Sequence, residues 1–95
     1  MHGRLSTYEG PADELTRGFE GVTSDLEQLE GLKGAYFGVD RDGGTAFSLT
    51  LWESEEALEA SVERANQMRD QASQQAGGTI KSVQHFEITV TAGGV

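Results

Sequence analysis

Six side chains in this 95-residue sequence could carry chemistry at their positions. His85 titrates near neutral pH and suits a general base or proton shuttle. Tyr36 offers a hydroxyl for hydrogen bonding. Trp52, the single tryptophan, suits either the wall of a pocket, stacking on a flat aromatic ligand, or a structural seal at the end of a sheet. Phe47 and Met68 fall in apolar patterns and belong to a core that could double as a pocket lining. Arg64 could reach an anionic substrate, although Arg64 and Arg69 also read as solvated partners for the surplus carboxylates. His2 reads as a surface residue.

Composition removes many other chemistries. There is no cysteine, so disulfides, thiolate metal sites and cysteine nucleophiles are excluded. Two histidines give little basis for a zinc site, and the acidic run Glu53-Ser54-Glu55-Glu56 reads as a helix start, so no metal is expected. No phosphate-cradling glycine loop, dinucleotide fingerprint or nucleophile elbow is present, and no cofactor is implied. Seven basic against sixteen acidic residues give a net charge of −9, which argues against nucleic acid and anionic membranes as partners. No apolar run is long enough to span a bilayer. The expectation is a single domain over residues 1–95, cytoplasmic, with a frayed tail at 91–95.

The elements that must hold these residues follow from periodicity. Residues 2–8 suit an opening strand, broken at Gly10-Pro11. Leu15, Phe19, Val22, Leu26 and Leu29 then recur at helical spacing, with Asp13 and Glu14 at the positive end of the dipole. Ala35 to Val39 and Thr45 to Trp52 are strands flanking a turn at Asp40-Arg41-Asp42-Gly43-Gly44. In the second of them Phe47, Leu49 and Leu51 alternate with Ala46, Ser48 and Thr50, and the apolar row is expected to face the core. Ser54 is an N-cap for a helix whose stripe is Ala57, Leu58, Val62, Ala65, Met68 and Ala72, stopped at Gly77-Gly78. Thr79 to Thr91 is β-rich.

The order β-α-β-β-α-β predicts an α+β, ferredoxin-like fold: a four-stranded antiparallel sheet with two helices on one face. The uncovered face is expected to carry Tyr8, Tyr36, Trp52, Val83 and His85 beside Ala46, Ser48 and Thr50. A mixed face with aromatics suits packing against a second copy, so a homodimer through the sheet face is expected.

Thr50-Leu51-Trp52-Glu53-Ser54-Glu55-Glu56-Ala57-Leu58, a strand ending in Leu-Trp-Glu-Ser before a helix starting Glu-Glu-Ala, resembles the antibiotic biosynthesis monooxygenase (ABM) family. Ser82 to Ile88 is similar to that family's last strand, and Leu32 to Gly38 to the entry of its second. The resemblance covers roughly residues 2–90. It implies a homodimer whose two sheets form a dimeric α/β barrel, with a pocket between sheet and helices in each subunit. It also implies a choice of activities. Some members oxidise quinol-like aromatics with O₂ and no cofactor, using an Asn, a Trp, a Tyr and an Arg. Trp52 matches that Trp, whereas Ser48 stands where the Asn would be, four residues earlier. Haem-degrading members need a His and a Trp on the second helix and an Asn on the first strand. Residues 55–76 contain neither His nor Trp, and the first strand offers Arg4 and Ser6 instead.

Two readings follow. In the first, the protein is a cofactor-independent monooxygenase of aromatic or quinol substrates, with Trp52 stacking, His85 abstracting the phenol proton and Tyr36 hydrogen bonding. In the second, it is a non-catalytic small-molecule-binding or structural dimer of the same fold. Haem degradation is the least supported.

Overall fold

A computed structural model describes residues 1–93. Its elements are β1 (His2–Glu9), α1 (Ala12–Glu27), β2 (Leu32–Asp40), β3 (Thr45–Trp52), α2 (Glu55–Ala60), α3 (Val62–Ala76) and β4 (Thr79–Glu87). Within the tail expected to fray, residues 94–95 lie outside the described residues, as does the side chain of Ala72. The strands form one sheet in the order β2-β3-β1-β4, every neighbouring pair antiparallel. This is the expected α+β, ferredoxin-like fold, with the second helix divided in two.

The β2–β3 hairpin turns at the expected place. Asp40 Oδ1 accepts from the backbone N–H groups of Asp42 and Gly43 at 3.2 and 3.0 Å. Gly44 has φ +67°, a left-handed conformation that glycine adopts without a Cβ penalty. Pro11, where the opening strand breaks, is the N-cap of α1. Leu15, Phe19, Val22 and Leu26 are buried from α1 onto the sheet. Ser54 caps α2, its Oγ accepting from Ala57 N at 3.1 Å.

The break between α2 and α3 has a local cause. The Leu58 carbonyl accepts from Ser61 Oγ at 2.7 Å and from Arg4 Nη2 at 3.0 Å. Side chains thus insert into the helical hydrogen-bond ladder at Ser61, which interrupts a helix that the apolar stripe alone would continue.

The faces of the sheet differ from expectation. Tyr8, Ala46, Ser48, Thr50 and Trp52, assigned above to the uncovered face, are buried under the helices. Phe47, expected in the core, is 38% exposed on the other face, and Tyr36 is 46% exposed. Alternation fixes which residues share a face but not which face is covered. The core side is filled by a few large rings, Tyr8 edge-on to Phe19 with centroids 5.2 Å apart and Phe19 stacked on Phe37 at 5.0 Å. Small hydroxyl residues fit between them because they bond to neighbours. The more apolar row Phe47-Leu49-Leu51 is left on the open side. There Phe47 lies over Gly38, where a Cβ would come within 2.3 Å of the ring.

Candidate functional site

Strand β1 directs Arg4, Ser6 and Tyr8 to the helix side, and β3 directs Ser48 and Thr50 beside them, through the pairings Arg4↔Thr50, Ser6↔Ser48 and Tyr8↔Ala46. Phe19, Val22 and Leu26 descend from α1, Phe37 flanks them from β2, and Ala65, Met68 and Arg69 close the space from α3. Together they line a cavity of about 40 Å³. At roughly 10–15 Å³ per water centre that is room for a few waters, so a larger ligand must part the helices or extend through the mouth. The walls are apolar, the floor carries hydroxyls and the Arg4 guanidinium, and Arg69 adds a second guanidinium from α3. No carboxylate of the described residues lines it.

Arg4 organises the floor. Its side chain is buried, with 3% of the residue exposed. Nη2 donates to the Leu58 carbonyl at 3.0 Å and to Ser61 Oγ at 3.1 Å. Nε donates to His85 Nε2 at 3.3 Å. The guanidinium carbon lies 5.6 Å from the centre of the Trp52 ring, within cation–π range. Nη1 is buried with no hydrogen-bond partner among the described residues. Burial, and secondarily the charge of Arg69, lower the Arg4 pKa to about 10, so the group remains charged at neutral pH.

Arg69 is the second cation on the cavity. Its Nη2 bonds Asn66 Oδ1, and its Nε is buried without a partner among the described residues. The expectation of a solvated salt-bridge partner does not hold for it: no carboxylate of the described residues lies within ion-pair distance. Arg64 does behave that way, reaching Asp25 at 3.4 Å on the exposed surface between α3 and α1. Tyr8 donates to or accepts from Ser48 Oγ at 2.9 Å. Burial raises its phenol pKa, against the opposing pull of the Ser48 bond.

The other expected site residues are placed as follows. Met68 lines the cavity. Trp52 is fully buried beside it, its indole N–H donating to Thr50 Oγ1 at 2.9 Å. His85 pairs with Arg4 across the β1–β4 ladder, so it lies on the helix side of the sheet, at the exposed edge strand. It borders a separate open cleft of about 360 Å³ with His2, Glu55, Glu59 and Glu87. Burial, then Arg4 and Arg69, lower its pKa. Tyr36 and Phe47 lie on the opposite face from the cavity, paired with Leu49 and Gly38. The structure therefore joins Trp52 and His85 through Arg4, adds Met68, and separates Tyr36, Phe47 and Arg64 from them.

Arg4, Ser6, Tyr8, Ser48, Thr50 and Arg69 were not expected as a group. The signal was present as the i, i+2 series Arg4-Ser6-Tyr8 facing Ser48-Thr50. It is readable only once the covered face is known. Among the described residues no group of three or more His, Asp or Glu side chains is arranged to hold a metal, and no helix is long and apolar enough to cross a membrane.

No family model matches the chain. Two Mycobacterium tuberculosis proteins resemble it in sequence, the uncharacterized proteins Rv2557 and Rv2558. The first is 28% identical over 92 residues, covering 93% of this chain and 41% of the relative. The second is 34% identical over 69 residues, covering 73% of this chain and 29% of the relative. The chain thus spans less than half the length of either.

Solved structures match over nearly the full chain. A point mutant of MhuD, with two manganese protoporphyrin IX bound per active site, superposes with a TM-score of 0.72 at 24% identity, covering 99% of this chain and 100% of that one. The monooxygenase from ActVA-Orf6 of Streptomyces coelicolor, in complex with nanaomycin D, gives 0.69 at 17% identity, covering 99% and 90%. SnoaB, a cofactor-independent oxygenase from Streptomyces nogalater, gives 0.68 at 13% identity, covering 95% and 94%. These superpositions span the whole α+β sheet-and-helix arrangement: this chain has the fold of the antibiotic biosynthesis monooxygenases.

Proposed function

We propose that this protein binds a small aromatic molecule in the cavity between its sheet and helices and acts on it as a cofactor-independent monooxygenase of phenolic or quinol substrates. The observation that carries the reading is the cavity's division into an apolar wall containing Phe19 and Phe37 and a polar part of hydroxyls and guanidinium groups without a carboxylate among the described residues. A flat ring suits the wall, and a phenolic oxygen suits the polar part. Developing negative charge on that oxygen would be stabilised by Arg4 and Arg69. Trp52 would hold the Arg4 guanidinium in place, and His85, which borders the cavity only through Arg4, would take up the phenol proton through water once its Nε2 is released from the Arg4 Nε–H. SnoaB and the ActVA-Orf6 protein support the oxidative reading by analogy of fold.

The assembly proposed with it is a homodimer through the open sheet face. Support comes from the apolar row on that face: Phe47 and Phe86, 38% and 46% exposed, with Leu49 and Leu51 between them in the sheet. A contiguous apolar patch of this kind marks an interaction surface.

Two observations favour a second reading, a non-catalytic binding module. His85 is not among the residues lining the cavity, and Ser48 stands where the resemblance implies an Asn.

The test titrates the protein with quinols, anthrones and haem while following tryptophan fluorescence and dissolved O₂. Fluorescence quenching with substrate-dependent O₂ uptake is the expected result. Quenching without uptake would replace the oxygenase with the binding module. A Soret shift would point to haem, which MhuD's porphyrin complex makes worth including.

A further inference from the structure

Two cations face one cavity that no anion of the described residues lines. Arg4 is buried and its Nη1 has no partner among the described residues; Arg69 has a buried Nε with none either. Both side chains line the same cavity, and neither forms an ion pair among the described residues. The chain has 16 acidic residues to supply such partners, and three of its five other basic residues, Arg41, Arg64 and Lys81, each take one. A buried charge left unpaired is costly, and the half-buried Arg69 beside Arg4 adds like-charge repulsion. The lowered Arg4 pKa, attributable partly to Arg69, registers that repulsion.

The remaining contacts do not relieve it. Arg4 Nη2 is spent on Leu58 O and Ser61 Oγ, and Nε on His85. Those bonds aim the guanidinium without neutralising it. What is left over is one buried donor from each of two guanidinium groups, next to the Tyr8–Ser48 hydroxyl pair. Planar N–H donors of this kind match the oxygens of a carboxylate. The apolar wall of Phe19 and Phe37 continues from that polar end.

We infer that the cavity is built for a ligand that carries a carboxylate, an aromatic acid whose carboxylate is held between Arg4 and Arg69. The inference rests on the cavity being the ligand site; it narrows the substrate class from a neutral quinol to an acid, and gives the two guanidinium groups to the carboxylate in place of the phenolic oxygen. Net charge sharpens the distinction. A molecule of charge −9 repels anions at long range, so a preference for an anion over its neutral isostere must come from local cations.

The experiment compares benzoate with benzamide at neutral pH, by calorimetric titration and tryptophan fluorescence, on the full chain and on Arg69→Gln. Benzoate is expected to bind at least tenfold more tightly than benzamide, and Arg69→Gln to lose at least tenfold in benzoate affinity with little change for benzamide. Arg69→Lys should recover part of the loss. Because Arg4 anchors the α2–α3 junction, Arg69 is the safer position to vary, and an unchanged far-ultraviolet circular dichroism spectrum checks that the variant folds. Equal affinity for the two probes, or binding of benzamide or a quinol without benzoate, would overturn the acid and leave the cavity as a ligand site. Failure of benzoate, benzamide and the quinols alike would overturn both. Benzoate binding that survives Arg69→Gln unchanged would overturn the two-arginine site.

Discussion

Arg4 Nε donates to His85 Nε2 at 3.3 Å, so the imidazole presents that nitrogen as an acceptor and carries its proton, when neutral, on Nδ1. This single contact joins a buried cation on β1 to the edge strand β4. Protonating His85 would set two N–H donors against each other. Burial and the charges of Arg4 and Arg69 act in the same direction, lowering the His85 pKa.

The first prediction is therefore a titration. His85 should lose its proton below the ordinary histidine value of about 6.5, read from its imidazole resonances in an NMR pH series. A folded-state pKa below the unfolded one means that the unfolded chain binds more protons. The stability this contributes is present in full above about pH 6.5 and is lost as pH falls through the folded pKa. His85→Gln should flatten that segment of the stability–pH curve. A His85 midpoint at or above 6.5 would contradict the arrangement.

What could be read from sequence divides along a physical line. Element order, hairpin and helix starts are local: Asp40 and Gly44 make the turn and Ser54 caps its helix whatever lies elsewhere. Which face of β3 is covered is not local. It depends on whether Tyr8, Phe19 and Phe37 meet on one side of the sheet, which no alternation within β3 reports. Arg4 looked like one of several scattered cations because its partners, Leu58, Ser61 and His85, lie 54 to 81 residues away in the chain. Trp52 was legible as a residue of the strand-to-helix junction. Its use of Thr50 as acceptor and Arg4 as neighbour required the register.

A second prediction concerns Tyr8 and Ser48. The hydroxyls are buried and bond at 2.9 Å across the β1–β3 pair. Tyr8→Phe leaves Ser48 Oγ without that partner in the cavity floor and should destabilise the protein by about 1 kcal/mol, with 1–3 kcal/mol the ordinary range for an orphaned buried group. Adding Ser48→Ala should return part of the loss. Urea unfolding of the two single variants and the double variant measures the coupling, and strict additivity would argue that the bond contributes nothing.

Ser54→Ala tests the start of α2. The Ser54 side chain satisfies the Ala57 N–H, one of the donors a helix cannot pair internally. Its loss should cost about 1 kcal/mol, and Ser54→Asp should be close to neutral, since aspartate caps equally well at the positive end of the dipole. Denaturant midpoints at constant slope would show this. An unaffected midpoint in Ser54→Ala would mean that Leu58 packing alone fixes the helix start.

The last prediction takes the open face of the sheet. Phe47 lies over Gly38, and a Cβ at position 38 would sit 2.3 Å from its ring, so the ring is spread along the sheet surface. Leu49 and Leu51 crowd the space above Gly3 with Ile88, and Phe86, paired with Gly3, remains 46% exposed. This surface gains by removal from water at about 25 cal/mol per Å². The helices of the described residues lie on the other side of the sheet and leave it uncovered. A second copy packed face to face would supply the cover, and a two-fold axis would set each Phe47 against the same apolar row of its partner. Light scattering at micromolar concentration should give twice the chain mass of 10.2 kDa. Leu49→Glu should shift the equilibrium toward monomer with the helix side intact, because the substitution buries a charge only in the dimer. A monomeric mass for the unaltered chain, or an unchanged dimer in Leu49→Glu, would remove the sheet face as the interface.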